Sequence, residues 1–363
     1  MFIDHKGDPI LAAQELKTIA DAESSPPSES SSHISSGLES DLANHLHLQD
    51  DSDSSIFSIH TSANVQNGKG GFASRDIHRG DLILAEKPIF LIPNDAPEPV
   101  RHSSIEAAVR KLSPANLDGY LSLQNSHIKC SCSLRHLLGI FNTNSFAVSG
   151  SGGICLRSAS FNHSCSPNAR FTFNSNSREL RIYALGTIPC GEEIFVAYIG
   201  KGLLGRRLYG SPRQSRQAIL RTRYHFTCAC STCSLPEAES KISDARRQKI
   251  HALWEVVTRF TPTQAVQCLK SIAEAIRLLK EEGYLADADD FMNEAGPICA
   301  FHSDWASTSY WAGLTYHTRV AEFGEDSSQV AEIREQYLNP KSCIAAGLGP
   351  PKDLTKIRVE SIV

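Results

Sequence analysis

Three cysteines stand close together in the sequence, with a spacing that is typical of a metal site. Cys228, Cys230 and Cys233 all lie in the short segment CACSTC. Thiolates this close can surround one tetrahedral Zn²⁺, although a closed structural site takes four ligands. Reduced cysteines without a metal are the alternative. The odd count of 11 cysteines in a chain of 363 residues argues against a secreted disulfide framework.

A polar segment upstream contains a further thiol beside residues that could contact a ligand. Residues 162–168 read NHSCSPN, a composition that predicts a tight, non-repetitive loop between strands. Cys165 in this loop is the candidate fourth zinc ligand. Taken alone, Asn162 and His163 have ordinary structural explanations, because asparagine is common in turns and most single histidines are not catalysts.

Two further motifs flank this loop along the chain. Upstream, residues 68–73 read GKGGFA, in which glycine lets the backbone adopt positive φ or approach a ligand closely. Downstream, residues 191–198 read GEEIFVAY and end at Tyr198. Each motif also has a plain alternative, a β-turn for the first and an amphipathic core tyrosine for the second.

Together and in this order, the four motifs resemble the SET-domain protein lysine methyltransferases, and within them the branch with SMYD-like and fungal SET-domain proteins. The resemblance covers about residues 60–235. It implies an α+β fold with a SET-domain β-clip, and an enzyme that moves a methyl group from S-adenosyl-L-methionine to a protein lysine. The MYND zinc finger of the SMYD branch is missing from this sequence, so no docking through such a finger is expected.

The resemblance also implies a role for individual residues. Tyr198 matches the active-site tyrosine, and Tyr224 matches a second phenol that lines the lysine channel. Phe226 matches an aromatic ring that stacks on the adenine, and Asn142 leaves the register of the neighbouring Asn144 open. The positions that match cofactor-binding residues are Lys69, Gly70, Asn144, Asn162, His163 and Phe226. The positions that match a structural zinc site are Cys165, Cys228, Cys230 and Cys233.

Methyl transfer is an in-line displacement at a sulfonium methyl, so the protein must align the reactants and favour a neutral amine. A free lysine has a pKa near ~10.4, so little of it is nucleophilic at neutral pH. A desolvated channel and the nearby sulfonium both favour the neutral amine. We therefore expect Tyr198 to orient the reacting groups and not to act as a strong base.

Short strands and helices must position these residues. Helical spacing over residues 103–123 predicts a helical insert at about 100–140, and helical periodicity dominates after residue 240. We expect a SET domain with its post-SET zinc segment over residues 56–235, followed by an all-helical C-terminal domain over 236–363. Alternation and turn residues predict short strands at 81–90, 169–173, 179–185 and 193–198.

The N-terminal 55 residues differ in composition from the rest of the chain. Between Lys17 and Lys69 there is no Lys or Arg, but there are eight Asp and Glu. This stretch has too few apolar residues to offset its ordering entropy, so we predict a disordered acidic tail. The formal charge of the whole chain is −4, whereas the part after residue 68 carries +5. The acidic average therefore hides a mildly basic folded body.

The basic segment between Lys201 and Arg223 has seven Lys and Arg and no acidic residue. Without interleaved aromatic residues, a solvated basic helix is favoured over a nucleic-acid surface. Cys130 and Cys132 form a second C-x-C pair, for which we expect unligated thiols.

Neither a signal peptide nor an apolar run of about 18 residues is evident, so we expect an intracellular protein of the nucleus or cytoplasm without membrane contact. The expected partner is a lysine-containing protein such as a histone, with no direct binding of nucleic acid. The alternatives from other classes are a catalytically silent SET scaffold that binds a protein partner and a zinc-dependent binder of nucleic acid.

Overall fold

The computed structural model describes residues 56–62, 68–127, 133–199, 208–259, 261, 264–284 and 286–359. These residues belong to one compact unit that spans positions 50–363. The predicted acidic tail and the predicted unligated pair Cys130 and Cys132 lie outside the described residues.

Short strands pair into four small sheets within the described part of the chain. Their bounds are β1 Phe57–Thr61, β2 Lys69–Ala73, β3 Leu82–Glu86, β4 Phe90–Pro93, β5 Phe146–Val148, β6 Ser151–Ile154, β7 Asn162–His163, β8 Ala169–Asn174, β9 Glu179–Ala184 and β10 Phe195–Val196. Strands β1 and β2 form an antiparallel hairpin, and two antiparallel sheets have the orders β3-β9-β8 and β4-β6-β5. Strands β7 and β10 pair in parallel.

Helices make up an insert between β4 and β5 and most of the chain after residue 236. Their bounds are α1 Glu98–Val109, α2 Pro114–Leu121, α3 Ser133–Asn144, α4 Arg213–Tyr224, α5 Glu237–Val257, α6 Ala265–Glu281, α7 Ala288–Phe301, α8 Trp305–Phe323 and α9 Ser328–Leu338. Consecutive helices from α5 to α9 pack against one another. Among the described helices, none is long and apolar enough to cross a membrane.

The structure divides two segments that the sequence predicted to be continuous. The strand predicted at 81–90 is two strands, β3 and β4, with Pro88 between them, a residue that has no N–H to donate to a sheet. The helix predicted at 103–123 is likewise two helices, α1 and α2. Helix α2 begins at Pro114, and the side chain of Ser113 caps it by accepting a hydrogen bond from Asn116 N at 3.3 Å.

The predicted strands at 169–173 and 179–185 are confirmed as β8 and β9. Only two residues of the segment 193–198 form a strand, β10, because the chain turns away after its short pairing with β7. Helix α7, which has Pro297 in its interior, lies within the C-terminal region that was predicted to be all-helical.

The parallel pair of β7 and β10 brings distant motifs side by side. In its register Phe195 lies opposite Asn162 and Val196 opposite His163. The amide of Ile194 donates to the carbonyl of Gly71 at 2.8 Å, so strand β2 lies next to the pair of β7 and β10. Three of the four sequence motifs therefore meet at one place in the fold.

The fourth motif, the cysteine segment after α4, belongs to the core that the C-terminal helices share. The four cysteines of the predicted zinc site pack in one buried cluster with residues of α5 to α8, among them Phe291 and the fully buried Trp311. The C-terminal helices are thus packed directly on this segment.

Candidate functional site

The four predicted zinc ligands lie together in the interior. Cys165, Cys228, Cys230 and Cys233 are all buried, and their Sγ atoms lie within 4.8 Å of one another. The Sγ atoms of Cys165 and Cys233 are 3.6 Å apart. Two corners of a tetrahedron with Zn–S bonds of about 2.3 Å are separated by about 3.8 Å, so the four sulfurs fit one Zn²⁺.

The electrostatics of the four thiols also favour a cation. Hydrogen bonds with its neighbours, first of all Cys228, raise the pKa of Cys165 far above its ordinary value. The hydrogen bond with Cys165 contributes most to lowering the pKa of Cys230. The pKa of Cys233 is also lowered and that of Cys228 is raised, so two thiolates are stabilised at the expense of the other two, because four negative charges this close repel one another. A bound Zn²⁺ would let all four sulfurs act as thiolate ligands.

A single histidine connects this cluster to the predicted active-site tyrosine. The Nε2 atom of His163 lies 3.4 Å from the Sγ of Cys165, and its Nδ1 accepts a hydrogen bond from the backbone N–H of Tyr198 at 3.0 Å. Burial lowers the pKa of His163 to about 4, so the ring is neutral at physiological pH. Because Nδ1 accepts, the ring proton is on Nε2 and faces the sulfur.

The two predicted catalytic tyrosines are partly buried and held by the backbone. The phenol of Tyr198 donates to the carbonyl of Phe161 at 2.9 Å, and the phenol of Tyr224 donates to the carbonyl of Tyr198 at 3.1 Å. Withdrawal from water raises the pKa of both phenols. Both therefore stay protonated at neutral pH, which suits groups that orient a substrate and does not suit a strong base.

Phe226 completes an aromatic cluster around Tyr198. Its ring centroid lies 6.4 Å from that of Tyr198 and 6.3 Å from that of His163, and the centroids of Tyr198 and Tyr224 are 5.2 Å apart. Tyr224 and Phe226 can both reach Tyr198 because His225 between them has a positive φ of 57°. This left-handed residue ends α4 and turns the chain.

The predicted cofactor residues Lys69 and Gly70 lie in strand β2 and not in a turn, and a side-chain network that starts at Asn162 holds this strand. The Nδ2 of Asn162 donates to the carbonyl of Lys69 at 2.9 Å and to Glu193 Oε1 at 2.7 Å. Ser62 donates to the other carboxylate oxygen at 2.9 Å. A Cβ atom added to Gly70 would overlap Glu193 Oε1, so only glycine lets the backbone at this position pack on the carboxylate.

Glu193 was not among the predicted site residues, although it stands in the motif GEEIFVAY. The structure buries Glu193 between strand β2 and Asn162. A carboxylate directly before the apolar run IFVAY was the available signal, since a charged side chain next to buried residues needs partners.

Two of the predicted cofactor residues differ from the others in their surroundings. The side chain of Lys69 is exposed, and its backbone carbonyl is the group that bonds to Asn162. Asn144 is buried and donates to the carbonyls of Gln124 and Ile140, both at 2.7 Å, whereas Asn142 is exposed. Its burial favours Asn144 over Asn142 as the residue that matches the family position. The hydrogen bonds of Asn144 stay within the insert, so its contact with a cofactor remains a prediction.

The SET-domain family model matches residues 68–199, which include the glycine motif, the Asn162–His163 strand and Tyr198. The chain contains a SET domain over these residues. The predicted family and its α+β fold are thereby confirmed, and the structure confirms the predicted grouping of the four cysteines.

Curated relatives agree with this assignment. The chain is 28% identical over 285 residues to "Histone-lysine N-methyltransferase set5" of Schizosaccharomyces pombe, which is 76% of this chain and 82% of that protein. It is 40% identical over 91 residues to "Protein-lysine N-trimethyltransferase SMYD5" of Danio rerio, or 25% and 21% of the two chains. With "N-lysine methyltransferase SMYD2" of Homo sapiens it shares 28% over 196 residues, or 48% and 43%. The match thus spans less than half the length of either SMYD protein.

Replacing Cys165 with serine should weaken zinc and cofactor binding together. The residue belongs both to the thiol cluster and to the loop that contains Asn162 and His163, so losing it should free that loop. We expect zinc content well below one per chain by atomic absorption, and a lower affinity for S-adenosyl-L-methionine by calorimetry. The exposed Cys190→Ser is the control. Full zinc content with unchanged cofactor affinity would contradict the proposed site.

Replacing Gly70 with alanine should lower cofactor affinity while leaving zinc bound. The new methyl group must displace Glu193 or strand β2, and overpacking of this kind commonly costs about 1–3 kcal/mol. We expect an affinity for S-adenosyl-L-methionine about tenfold lower, since about 1.4 kcal/mol corresponds to tenfold. In Gly186→Ala the added methyl meets nothing within 4 Å, and that variant should bind normally. Equal affinities for S-adenosyl-L-methionine in the two variants would contradict a role of Gly70 in cofactor binding.

Proposed function

We propose that this SET-domain protein transfers a methyl group from S-adenosyl-L-methionine to a lysine side chain of a protein substrate. The observation that carries the proposal is the convergence at Tyr198. The rings of His163, Tyr224 and Phe226 surround one protonated phenol, and strand β2 with the glycine motif lies next to the same strand pair through the hydrogen bond from Ile194 to Gly71. The names of the relatives, which are histone-lysine and protein-lysine methyltransferases, support the same reaction.

In this proposal each part of the site has a separate task. S-adenosyl-L-methionine supplies the electrophilic methyl group when it is bound. Lys69 and Gly70 of strand β2, the strand Asn162–His163, Asn144 and Phe226 would hold the cofactor. Tyr198 and Tyr224 line the channel, exclude water from the lysine amine and orient it for in-line attack. Exclusion of water favours the neutral, nucleophilic form of the amine.

The zinc site has a structural task in the proposed enzyme. Four thiolate ligands close the coordination sphere and leave no position for a reactive water. The ligands come from the loop after β7 and from the segment after α4, and that segment begins just beyond Tyr224 and Phe226. Zinc would therefore hold the channel tyrosine and the adenine-stacking ring against the cofactor strand.

The organisation of the chain and its location in the cell are part of the same proposal. We propose an N-terminal tail over residues 1–55, a SET domain with its post-SET segment over 56–235, and a C-terminal helical domain over 236–363. The nucleus or cytoplasm is the proposed location, because protein lysines are the substrates that the relatives' names state. Direct binding of nucleic acid is not proposed, because part of the basic segment is buried, as described below.

The rival function is a catalytically silent SET scaffold that binds a protein partner. A scaffold would need neither the hydrogen-bonded phenol of Tyr198 nor the glycine motif. A calorimetric titration of the zinc-loaded protein with S-adenosyl-L-methionine separates the two functions, because only the enzyme requires binding. Incubation of a proteome with the protein and isotopically labelled cofactor, followed by mass spectrometry, should then place the label on lysine. Cofactor binding without any labelled lysine would support the scaffold.

Replacing Tyr198 with phenylalanine should separate catalysis from cofactor binding. The variant loses the hydroxyl that orients the reactants, and small misplacements of reacting groups cost about 100-fold in rate. We expect methyl transfer to fall by about that factor while the affinity for S-adenosyl-L-methionine stays within about threefold. The matched control is Tyr316→Phe, whose ring stacks on Tyr337 in the C-terminal helices. A folded Tyr198→Phe protein with the full rate would refute the assigned role.

A further inference from the structure

The basic segment before the cysteines does not face solvent along its whole length. In helix α4, Arg216 is only 1% exposed, although the sequence predicted a solvated basic helix. The prediction of a helix is confirmed, but the prediction of solvation is wrong for this residue. Its Nη1 donates to the carbonyl of Ser211 at 2.5 Å, and its Nη2 lies 3.8 Å from the Sγ of Cys233. A full positive charge is thus buried against the thiol cluster.

The next residue of α4 shows that this buried face serves the cysteines. Gln217 donates through Nε2 to the carbonyl of Cys228 at 2.7 Å and accepts from the amide of Cys228 at 2.9 Å. Both polar groups of the backbone at Cys228 are therefore held by one side chain. The geometry of the cysteine segment is set from α4 as well as by its own turns.

A second buried arginine reaches the cluster from the C-terminal helices. Arg247 of α5 is fully buried, and its Nη2 donates to the carbonyl of Cys165 at 3.2 Å and to Ser166 Oγ at 2.9 Å. Its Nε donates to Glu282 at 2.9 Å, at the end of α6, where Ser243 also donates to the carboxylate. One guanidinium group therefore joins α5 and α6 to the loop of Cys165 and Ser166, called the zinc loop below.

The charge of the metal site explains why two arginines are buried here. One Zn²⁺ with four thiolates carries a net charge of −2, and a buried charge without a partner is strongly disfavoured. Arg216 and Arg247 place two guanidinium groups beside this anion, and each also pairs with a carboxylate, Arg216 with Asp244 at 3.5 Å and Arg247 with Glu282 at 2.9 Å.

We propose that Arg216 and Arg247 are the countercharges of the four-cysteine zinc site, and that Arg247 makes zinc retention depend on the docking of α5 and α6. Coupling between two binding events is reciprocal. Contacts that hold the helices on the zinc loop therefore slow zinc loss, and bound zinc in turn holds the helices. The proposal rests on zinc occupancy of the cysteines and is independent of methyl transfer.

Zinc affinity of the full-length protein, measured by competition with a chromophoric chelator, tests the countercharges. Substitution of groups that surround metal ligands commonly costs about 10–100-fold in affinity. We expect losses in that range for Arg216→Gln and Arg247→Gln, and smaller losses for Arg216→Lys and Arg247→Lys, which keep the charge. Wild-type affinity in both glutamine variants, or equal losses in the lysine and glutamine variants, would overturn the proposal.

The matched control is Arg246→Gln. Arg246 neighbours Arg247 on α5 and pairs with the same Glu282, but its described contacts are with the carboxylates of Glu281 and Glu282 and not with the zinc loop. We expect its zinc affinity to stay within about threefold of the wild type. A loss as large as that of Arg247→Gln would show that general weakening of α5 is responsible, and would overturn a specific role for Arg247.

Hydrogen exchange tests the coupling independently of affinity. Removal of zinc from the wild-type protein should increase amide exchange in α5 and α6, because the carbonyl of Cys165 and Ser166 no longer hold Arg247 in place. In Arg247→Lys, which is the milder variant, these helices should respond less to zinc removal. Unchanged exchange in the wild-type protein after chelation would overturn the coupling, whatever the affinities.

Discussion

The active-site region depends on the burial of four thiols in one cluster. Cysteines that far apart in sequence, with Cys165 more than sixty positions before Cys228, share one buried centre here. A zinc ion bound by all four as thiolates would convert four separate groups into one rigid junction. The loop after β7 and the segment after α4 then occupy fixed positions, and the groups proposed to act on cofactor and substrate lie within a few residues of that junction.

One neutral imidazole connects this junction to Tyr198. His163 faces the sulfur of Cys165 on one side and the amide of Tyr198 on the other, so a movement of the thiol would be felt at the tyrosine backbone. Strands β7 and β10, which contribute two residues each, would be weak on their own. Their short parallel pairing is supported by the side chains of the same strand. Asn162 bonds to Lys69 and Glu193, and His163 contacts Cys165 and accepts from the amide of Tyr198.

The sequence was most informative where chemistry demands particular residue types. Thiols, glycine and an ordered set of motifs identified the family and predicted which four cysteines would meet. It was less informative where the outcome depends on packing between distant segments. Glu193 is such a residue, because its partners, Ser62 and Asn162, come from two other parts of the chain. The predicted boundaries of one strand and one helix were wrong for a local reason. Pro88 and Ser113 interrupt segments that hydrophobic spacing alone would continue.

The basic segment shows the same limit in its electrostatics. Counting charges along the sequence treats each arginine as an isolated cation in water, and on that basis solvent is the natural place for all of them. With zinc bound, the four cysteines would form a local anion that the sequence does not display as negative residues, because a zinc–thiolate centre is built from cysteines. Arg216 and Arg247 are buried next to these cysteines, where such an anion and their carboxylate partners would let guanidinium groups lie away from water. A cysteine cluster predicted from sequence should therefore be read as a source of negative charge, and nearby arginines as its candidate partners.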